Sequence, residues 1–373
     1  MQYTEYELGE LLPFEQPTAY IVKSTDYSDA YATPVLTAGK SFILGKTNET
    51  DGIFDQLPVI IFDDFTTATQ FVNFRFKVKS SAMKILHINT DLVIPKYIFY
   101  RLQIIQFDHS THKRYWIQSY SKIKVLIPPL DEQFRIVARI EELFSELDKA
   151  VDTLKTTKEQ LAVYRQAVLK NAFSCLPETV EMDKIADMID PQPSHRTPPE
   201  YKNGIPYIGI GDIDYQNKKI NFEDARKVSP EVLDEHLHRY TIHKGDFVMG
   251  KIGTIGKPYK IPDEQNYALS ANVILIQPNK EKIYPEFLFW QFSSSLVTKQ
   301  LTLGAKATSQ PAFGIKKARL LSIKICELEK QFKIIKRLEA EMSCCDNIEK
   351  TVDTALAQAD AMRQSILKQA FEE

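Results

Sequence analysis

Several things are scarce in this sequence, and each scarcity removes a class of protein. There are four cysteines in 373 residues, Cys175, Cys326, Cys344 and Cys345, and no two of them stand in a CxxC spacing. That leaves no zinc-knuckle pattern and no disulfide framework, and it fits a reduced compartment. A run of about 18 apolar residues, the length a membrane helix needs, is missing as well. The opening stretch MQYTEYELGELLPFEQPT is acidic and polar where a secretory leader would be basic and then apolar, so a cytoplasmic location is expected. Net charge is nearly absent too, 47 Lys and Arg standing against 49 Asp and Glu. That balance speaks against a chain that coats nucleic acid by bulk charge.

What remains is an ordinary globular composition, 43% apolar and 26% charged, at a length that suggests two or three domains. The charge is unevenly spread. Residues 299–324 carry Lys299, Lys306, Lys316, Lys317, Arg319 and Lys324 with no acid. Residues 109–124 (Lys113, Arg114, Lys122, Lys124) and 71–89 (Arg75, Lys77, Lys79, Lys84) are likewise acid-free. Patches of this kind can neutralise phosphates although acidic segments elsewhere cancel the total.

Signatures of chemistry fail on inspection. LTAGKS, at Leu36–Ser41, ends like a phosphate-binding loop, but Pro34 stands where that motif needs its first glycine. Gly209-Ile210-Gly211 lacks the third glycine of a dinucleotide fingerprint, and no Asn/Asp-Pro-Pro-aromatic motif of an adenine methyltransferase occurs. His236, His238 and His243 read as surface residues of a short polar helix, not as metal ligands. Asp190 followed by Glu200-Tyr201-Lys202 imitates a metal-dependent nuclease. Pro191, Pro193, Pro198 and Pro199 lie between them and preclude the strands that would aim those groups together. Asp63-Asp64 has no lysine or third acid at useful spacing. No catalytic residue, metal site or cofactor site is expected.

An internal repeat organises the chain. RQAVLKNAFS (165–174) returns as RQSILKQAFE (363–372), six of ten positions being identical, and a shift of 198 residues aligns Leu130–Phe173 with Leu328–Phe371 without a gap. In the first copy Ile140, Leu147, Leu154, Leu161 and Val168 recur every seven residues; in the second the seam runs through Leu338, Cys345, Val352, Ala359 and Ile366. A seam sustained over four or five heptads is a coiled-coil signal. Each helix should be about 40 residues long, roughly 60 Å. Small Cys345 and Ala359 facing larger partners suit two unlike helices paired antiparallel within one chain. Pro128-Pro129 before the first helix and Leu176-Pro177 after it mark its ends.

Globular segments precede each helix. The runs PVIIF (58–62), GIPYIGI (204–210) and ANVILIQP (271–278) read as strands, while PKYIFYRLQ (95–103) and PEFLFWQFS (285–293) read as corresponding short helices. Outside such landmarks the two globular sequences have diverged. The fold expected is α+β, with heads at 1–127 and 178–325 and conserved helices at 128–177 and 326–373. The repeat implies a pseudo-twofold, circular arrangement that brings residue 373 close to the first head.

IPPLDEQFRIV followed by a long heptad helix ending in LKNAFS, all repeated after a second variable domain, resembles the specificity subunit of Type I restriction-modification systems. IPYIGIGDI (205–213), KGDFVMGKIGTIGK (244–257), SANVIL (270–275) and TSQPAFGI (308–315) are similar to target-recognition motifs of that family, and the first head resembles a common variant of the same domain. LEKQF (328–332) departs from the usual proline-rich, acidic-Gln lead. The resemblance implies two target-recognition domains, each reading half of a bipartite, asymmetric double-stranded DNA target. It also implies two modification subunits that methylate adenine, and restriction subunits that join them. S-adenosylmethionine, Mg and ATP would then belong to those partners, and this chain would be non-catalytic. Two such heads should meet major grooves about one helical turn apart, roughly 34–36 Å.

Candidate DNA-contacting residues fall in expected loops: Lys40, Lys46, Thr66, Thr67, Thr69, Gln70, Lys113 and Arg114 in the first head, and Lys251, Thr254, Lys257, Lys306, Thr308, Ser309 and Gln310 in the second. Gly250, Gly253 and Gly256 suit either a close phosphate approach or a tight turn. A different class of function has the same rods and repeat: a non-catalytic coiled-coil scaffold whose two heads bind proteins.

Overall fold

The computed structural model describes residues 3–37, 41–108, 114–252, 254–305 and 312–372. Two helices of 45 residues, Leu130–Ser174 and Leu328–Glu372, carry the internal repeat. The chain divides into two compact units, residues 1–154 with 353–373, and residues 155–352. Each long helix therefore contributes half its length to each unit.

In the first unit the ribbon Thr4–Glu7/Lys124–Ile127 closes the head, with Thr4 opposite Ile127. Phe14–Glu15, Met83–Leu86, Val59–Asp63 and Thr69–Val72 form an antiparallel sheet in that order. A second sheet orders Ile43–Thr47, Thr33–Leu36 and Lys77–Val78, the last pair parallel. The central strand Val59–Asp63 is buried at every position because both its faces are covered. Ile60 and Phe62 enter a core with Trp116, Tyr120 and Tyr97, while Val59 and Ile61 enter another with Phe54 and Phe76. The alternation follows from successive strand side chains pointing to opposite faces. The run PVIIF is thus apolar throughout, with no polar face.

The second unit repeats this plan. Its ribbon is Glu178–Glu181/Ser322–Ile325, and its four-stranded sheet runs Ala186–Ile189, Val273–Pro278, Phe247–Gly250, Pro258–Lys260. Its three-stranded sheet is Lys227–Val228, Ile205–Ile208, Ala268–Leu269, again with one parallel pair. Phe247 and Met249 point into one core and Val248 into another. The hairpin Ile213–Asp214/Lys219–Ile220 and the helix Pro230–Leu237 are inserted between corresponding strands. The two heads, diverged in sequence, keep one strand order.

Pro95 and Pro285 open the corresponding helices Pro95–Leu102 and Pro285–Phe292 at a position where a missing N–H costs nothing. A buried glutamine fastens each of them to a long helix. The Gln133 carboxamide accepts from Ile94 N (2.8 Å) and donates to Leu92 O (3.0 Å) and Pro128 O (2.9 Å). Gln331 accepts from Tyr284 N (3.0 Å) and donates to Lys282 O (3.2 Å) and Cys326 O (2.7 Å). Both side chains are fully buried.

The long helices run antiparallel in each unit. In the first, Arg363 pairs with Asp148, and Phe371 joins the core that contains Val137. In the second, Arg165 pairs with Asp346 (2.8 Å) and Glu349 (2.9 Å), while Leu169 and Phe173 share a core with Ile335, Leu338 and Met342. Arg165/Arg363 and Asp148/Asp346 are positions of the same 198-residue repeat, so the repeat writes the cross-helix ion pair twice. Ile140, Leu161, Leu338 and Val352 are buried at the seam, and Leu147 and Leu154 are half-buried. Val168 and Ile366 are half-buried also; the next residues, Leu169 and Leu367, take the buried places. A straight helix of 3.6 residues per turn drifts about 20° per heptad, enough to move the buried stripe over this length. Phe371 stacks edge-on against Tyr97 of the first head (5.3 Å), so the stretch next to residue 373 reaches that head; residues 1–2 and 373 lie outside the described residues.

Candidate nucleic-acid interface

Each head builds its candidate surface on the residue that follows the central strand. In the first head that residue is Asp64. Its carbonyl accepts from Tyr115 N (3.0 Å) and its carboxylate from Trp116 N (2.9 Å), which brings Arg114 beside the 63–69 turn. Asp63 Oδ1 accepts from Phe65 N (2.8 Å) and Thr66 N (3.2 Å), and Thr67 takes a left-handed φ of 57°. Thr66, Gln70 and Arg114 are exposed, and Thr67 is half-buried. Thr69, expected in an exposed loop, is buried in the sheet, and its hydroxyl accepts from the Gln103 amide. Lys46 is half-buried on the other sheet.

In the second head the corresponding residue is Lys251, whose carbonyl accepts from Phe313 N (2.9 Å). Tyr115 and Phe313 are again 198 residues apart. Lys251, expected in an exposed loop, is 8% exposed; its ammonium lies 2.6 Å from Asp190 Oδ2 and 3.4 Å from His195 Nδ1. The tight-turn reading of the glycines holds at two positions. A Cβ on Gly250 would sit 1.8 Å from the Thr254 carbonyl oxygen, and Gly256 has φ +73°. Thr254 is exposed at this turn. Lys257 is exposed too, its ammonium 4.0 Å from the ring centre of Tyr215, which donates to Lys257 O (3.0 Å). Burial pushes the Tyr215 hydroxyl up to about 12, so it stays a donor. The isolated bridge Ile252–Ala312 brings the 250s turn against the segment leading to Lys316 and Lys317. Lys40, Lys113, Lys306, Thr308, Ser309 and Gln310, and Gly253, lie outside the described residues.

Several acid-free stretches prove less available than their sequence implies. Lys77 is buried, donating to Asp51 O (2.6 Å) and Gly52 O (3.2 Å) beside Glu49 (3.2 Å). Lys84 is buried 3.2 Å from Asp64. Lys317, Arg319 and Lys324 donate to the carbonyls of Gly304 (2.7 Å), Met188 (3.2 Å) and Leu176 (2.7 Å). Acids and carbonyls from distant segments meet these cations where local sequence offers none. His236 is likewise a core residue and not a surface one. Its ring lies between Gln192 Oε1 (2.9 Å) and Tyr240 Oη (2.8 Å), and burial lowers its pKa to about 4. In the neutral ring Nε2–H donates to Gln192 and Nδ1 accepts from Tyr240. Asp190 and Glu200, paired in the nuclease reading, have separate partners: Lys251 for the first, Arg226 (4.0 Å) for the second. Among the described residues no group of three His, Cys, Asp or Glu side chains is placed to hold a metal, and no helix is long and apolar enough to cross a membrane.

Residues 177–358 match the Type I restriction modification DNA specificity domain. The specificity subunit of the Type I restriction enzyme EcoR124I/EcoR124II of Escherichia coli is 45% identical over 174 residues, 43% of this chain and 43% of that protein. The second half of this chain thus carries the Type I DNA specificity domain. The EcoBI specificity subunit of Escherichia coli is 26% identical over 272 residues, 66% of this chain and 57% of that protein. The chain thus spans about half the length of the curated relatives it matches. A chain from a solved type I R-M system, studied for its complex assembly and conformational transition, superposes with a TM-score of 0.70 at 16% identity, covering 99% of this chain and 97% of that one. The HsdS subunit from Thermoanaerobacter tengcongensis gives 0.52 at 15% identity, covering 99% and 96%. Both carry the same fold.

The reading from sequence missed Asp190 and His195 as part of the second head's surface. The only signal for Asp190 was an acid next to prolines, which serves a nuclease motif equally well. The paired exposure of Phe134 (61%) and Phe332 (45%), at repeat-related positions near the starts of the long helices, also went unnoticed. An aligned phenylalanine on the polar side of both heptad patterns was the available clue.

Proposed function

We propose that the chain is the DNA-reading subunit of a Type I restriction-modification complex, segments 1–127 and 178–325 acting as target-recognition domains for the two halves of an asymmetric, bipartite double-stranded target. Two modification subunits bind its helical region and carry adenine methylation with S-adenosylmethionine, and restriction subunits using Mg and ATP join them. The chain itself contributes recognition and no reaction. One observation carries this reading: a single strand order appears twice, and the residue after the central strand, held by the same backbone contact, is acidic in one head and basic in the other. A conserved frame with exchanged side chains at the turn is what two readers of different sequences require. Phe134 and Phe332, exposed at equivalent positions, fit one kind of partner bound twice.

The test is co-expression with a modification subunit and mapping of methylated adenines by single-molecule sequencing. A two-part asymmetric motif, altered in one half when one head is exchanged, is expected. A stable complex without new methylation would overturn the reading in favour of the protein-binding scaffold. The near-neutral charge and the inward-turned Lys77 and Lys84 favour that second reading, and it predicts no retention of the assembled complex on duplex DNA.

A further inference from the structure

A recess of about 300 Å³ opens in the second head, lined by Asp190, His195, Lys251, Ile315, Lys316 and Lys317 among others. Its floor is the Lys251–Asp190 pair, with side chains 10% and 15% exposed. The corresponding pair of the first head, Asp64–Lys84, is sealed at 2% and 1%, and Trp116 N occupies one Asp64 oxygen. The second pair is therefore placed where a ligand can reach it. Lys251 is held rigidly, its N donating to Asn272 O (2.7 Å) and its O accepting from Phe313 N (2.9 Å). Its ammonium spends one donor on Asp190 and one on His195, and among the described residues no protein acceptor takes the third. His195, on a left-handed backbone (φ 52°), stands at the rim of the pair with its side chain exposed.

We propose that this recess reads the major-groove edge of one guanine–cytosine pair, Lys251 donating its remaining N–H to guanine O6 and Asp190 accepting from cytosine N4. The proposal rests on the DNA-reading function above. The floor sets an ammonium donor 2.6 Å from a carboxylate acceptor. A guanine–cytosine edge sets the O6 acceptor beside the N4 donor at about 2.9 Å, so the two pairs match in order and spacing. An adenine–thymine edge also sets an amine beside an oxygen, but it offers the ammonium a single acceptor next to a methyl group. Guanine offers two. Lys316 and Lys317, both exposed at the same recess, neutralise the adjoining phosphates, Lys317 by its charge although one of its donors is taken by Gly304 O, which positions the edge without selecting it.

The experiment compares methylation motifs of the full complex with wild-type chain, D190N/K251Q and K316A/K317A. The neutral double variant keeps a hydrogen bond on the floor and removes the charges. It is expected to relax one guanine–cytosine position in the half-site read by the second head, on the order of 10- to 100-fold in preference, and to leave the other half unchanged. K316A/K317A should weaken methylation evenly and reduce its salt dependence, with the motif intact. If D190N/K251Q does not fold, D190N alone is read the same way. An unchanged motif with uniformly lower methylation or stability would make the pair a structural fastener and overturn the proposal. So would relaxation at an adenine–thymine position, or a motif altered by K316A/K317A instead. A wild-type complex that yields no bipartite motif would instead refute the DNA-reading function itself.

Discussion

The first head seals Asp64 against Lys84 behind its central strand, whereas the second sets Lys251 there against Asp190, at the foot of an open recess. Backbone contacts are the same in the two: Tyr115 N to Asp64 O, Phe313 N to Lys251 O. Sign, partner strand and solvent access all differ. Main-chain hydrogen bonds in these heads fix a position, and the side chain at that position is then exchangeable as long as its charge finds a partner nearby. Buried pairs are costly to make and costly to break, so each exchange must bring its counter-ion along.

The largest effect that tests this difference comes from K84M. It leaves Asp64 buried without its cation and should cost the first unit about 3–5 kcal/mol in denaturant unfolding. K251M, at a more open pair, should cost the second unit about 1–2 kcal/mol, because solvent can take up part of the uncompensated charge. Equal losses would erase the contrast between a sealed and an open pair. The buried glutamines probe where the heads agree. Q133A and Q331A each strand one amide N–H and two carbonyls, and each should cost about 2–3 kcal/mol, with the two values close together.

A smaller contrast depends on pH. The folded-state pKa of His236 lies near 4, below its ordinary 6.5, so the unfolded chain takes up a proton first. The stabilisation is complete above about pH 6.5 and is lost as pH falls toward 4, with a limit of roughly 3 kcal/mol. H236Q should flatten that acid slope in the second unit and leave the first unit's transition unmoved, as melting curves between pH 7 and about 4.5 would read. The smallest effect belongs to the repeated cross-helix pairs. R165A and R363A remove partly exposed ion pairs and should cost under about 1 kcal/mol each, less at high salt. R165A should cost slightly more, since Arg165 meets two carboxylates.

The rods could be read from sequence because a heptad and a repeat are local patterns, each residue predicting its neighbour one or two turns away. The helices opened by Pro95 and Pro285, and runs such as PVIIF, were legible for the same reason. The shared strand order was not, since pairing Ala186–Ile189 with Val273–Pro278 leaves no trace in either segment alone. Buried lysines escaped notice on similar grounds. Lys251 meets an acid 61 residues away, and the carbonyls that receive Lys77 are 25 and 26 residues away. Of the candidate surface, the exposure of the turn residues Thr66, Thr254 and Lys257 was legible from composition. The floor of the recess could not be, because its chemistry exists only once Asp190 and Lys251 are folded together.

One unit is written continuously, residues 155–352, and the other is not: it needs residues 353–372 as well as the first 154. On the ribosome, synthesis proceeds from the first residue onward and domains settle as their parts emerge. The later-made head can thus complete its core while the earlier-made one still waits for Arg363 to reach Phe144 and for Phe371 to reach Tyr97. The half translated first is the half finished last, and during that interval its aromatic helix face stands open for a chaperone to cover.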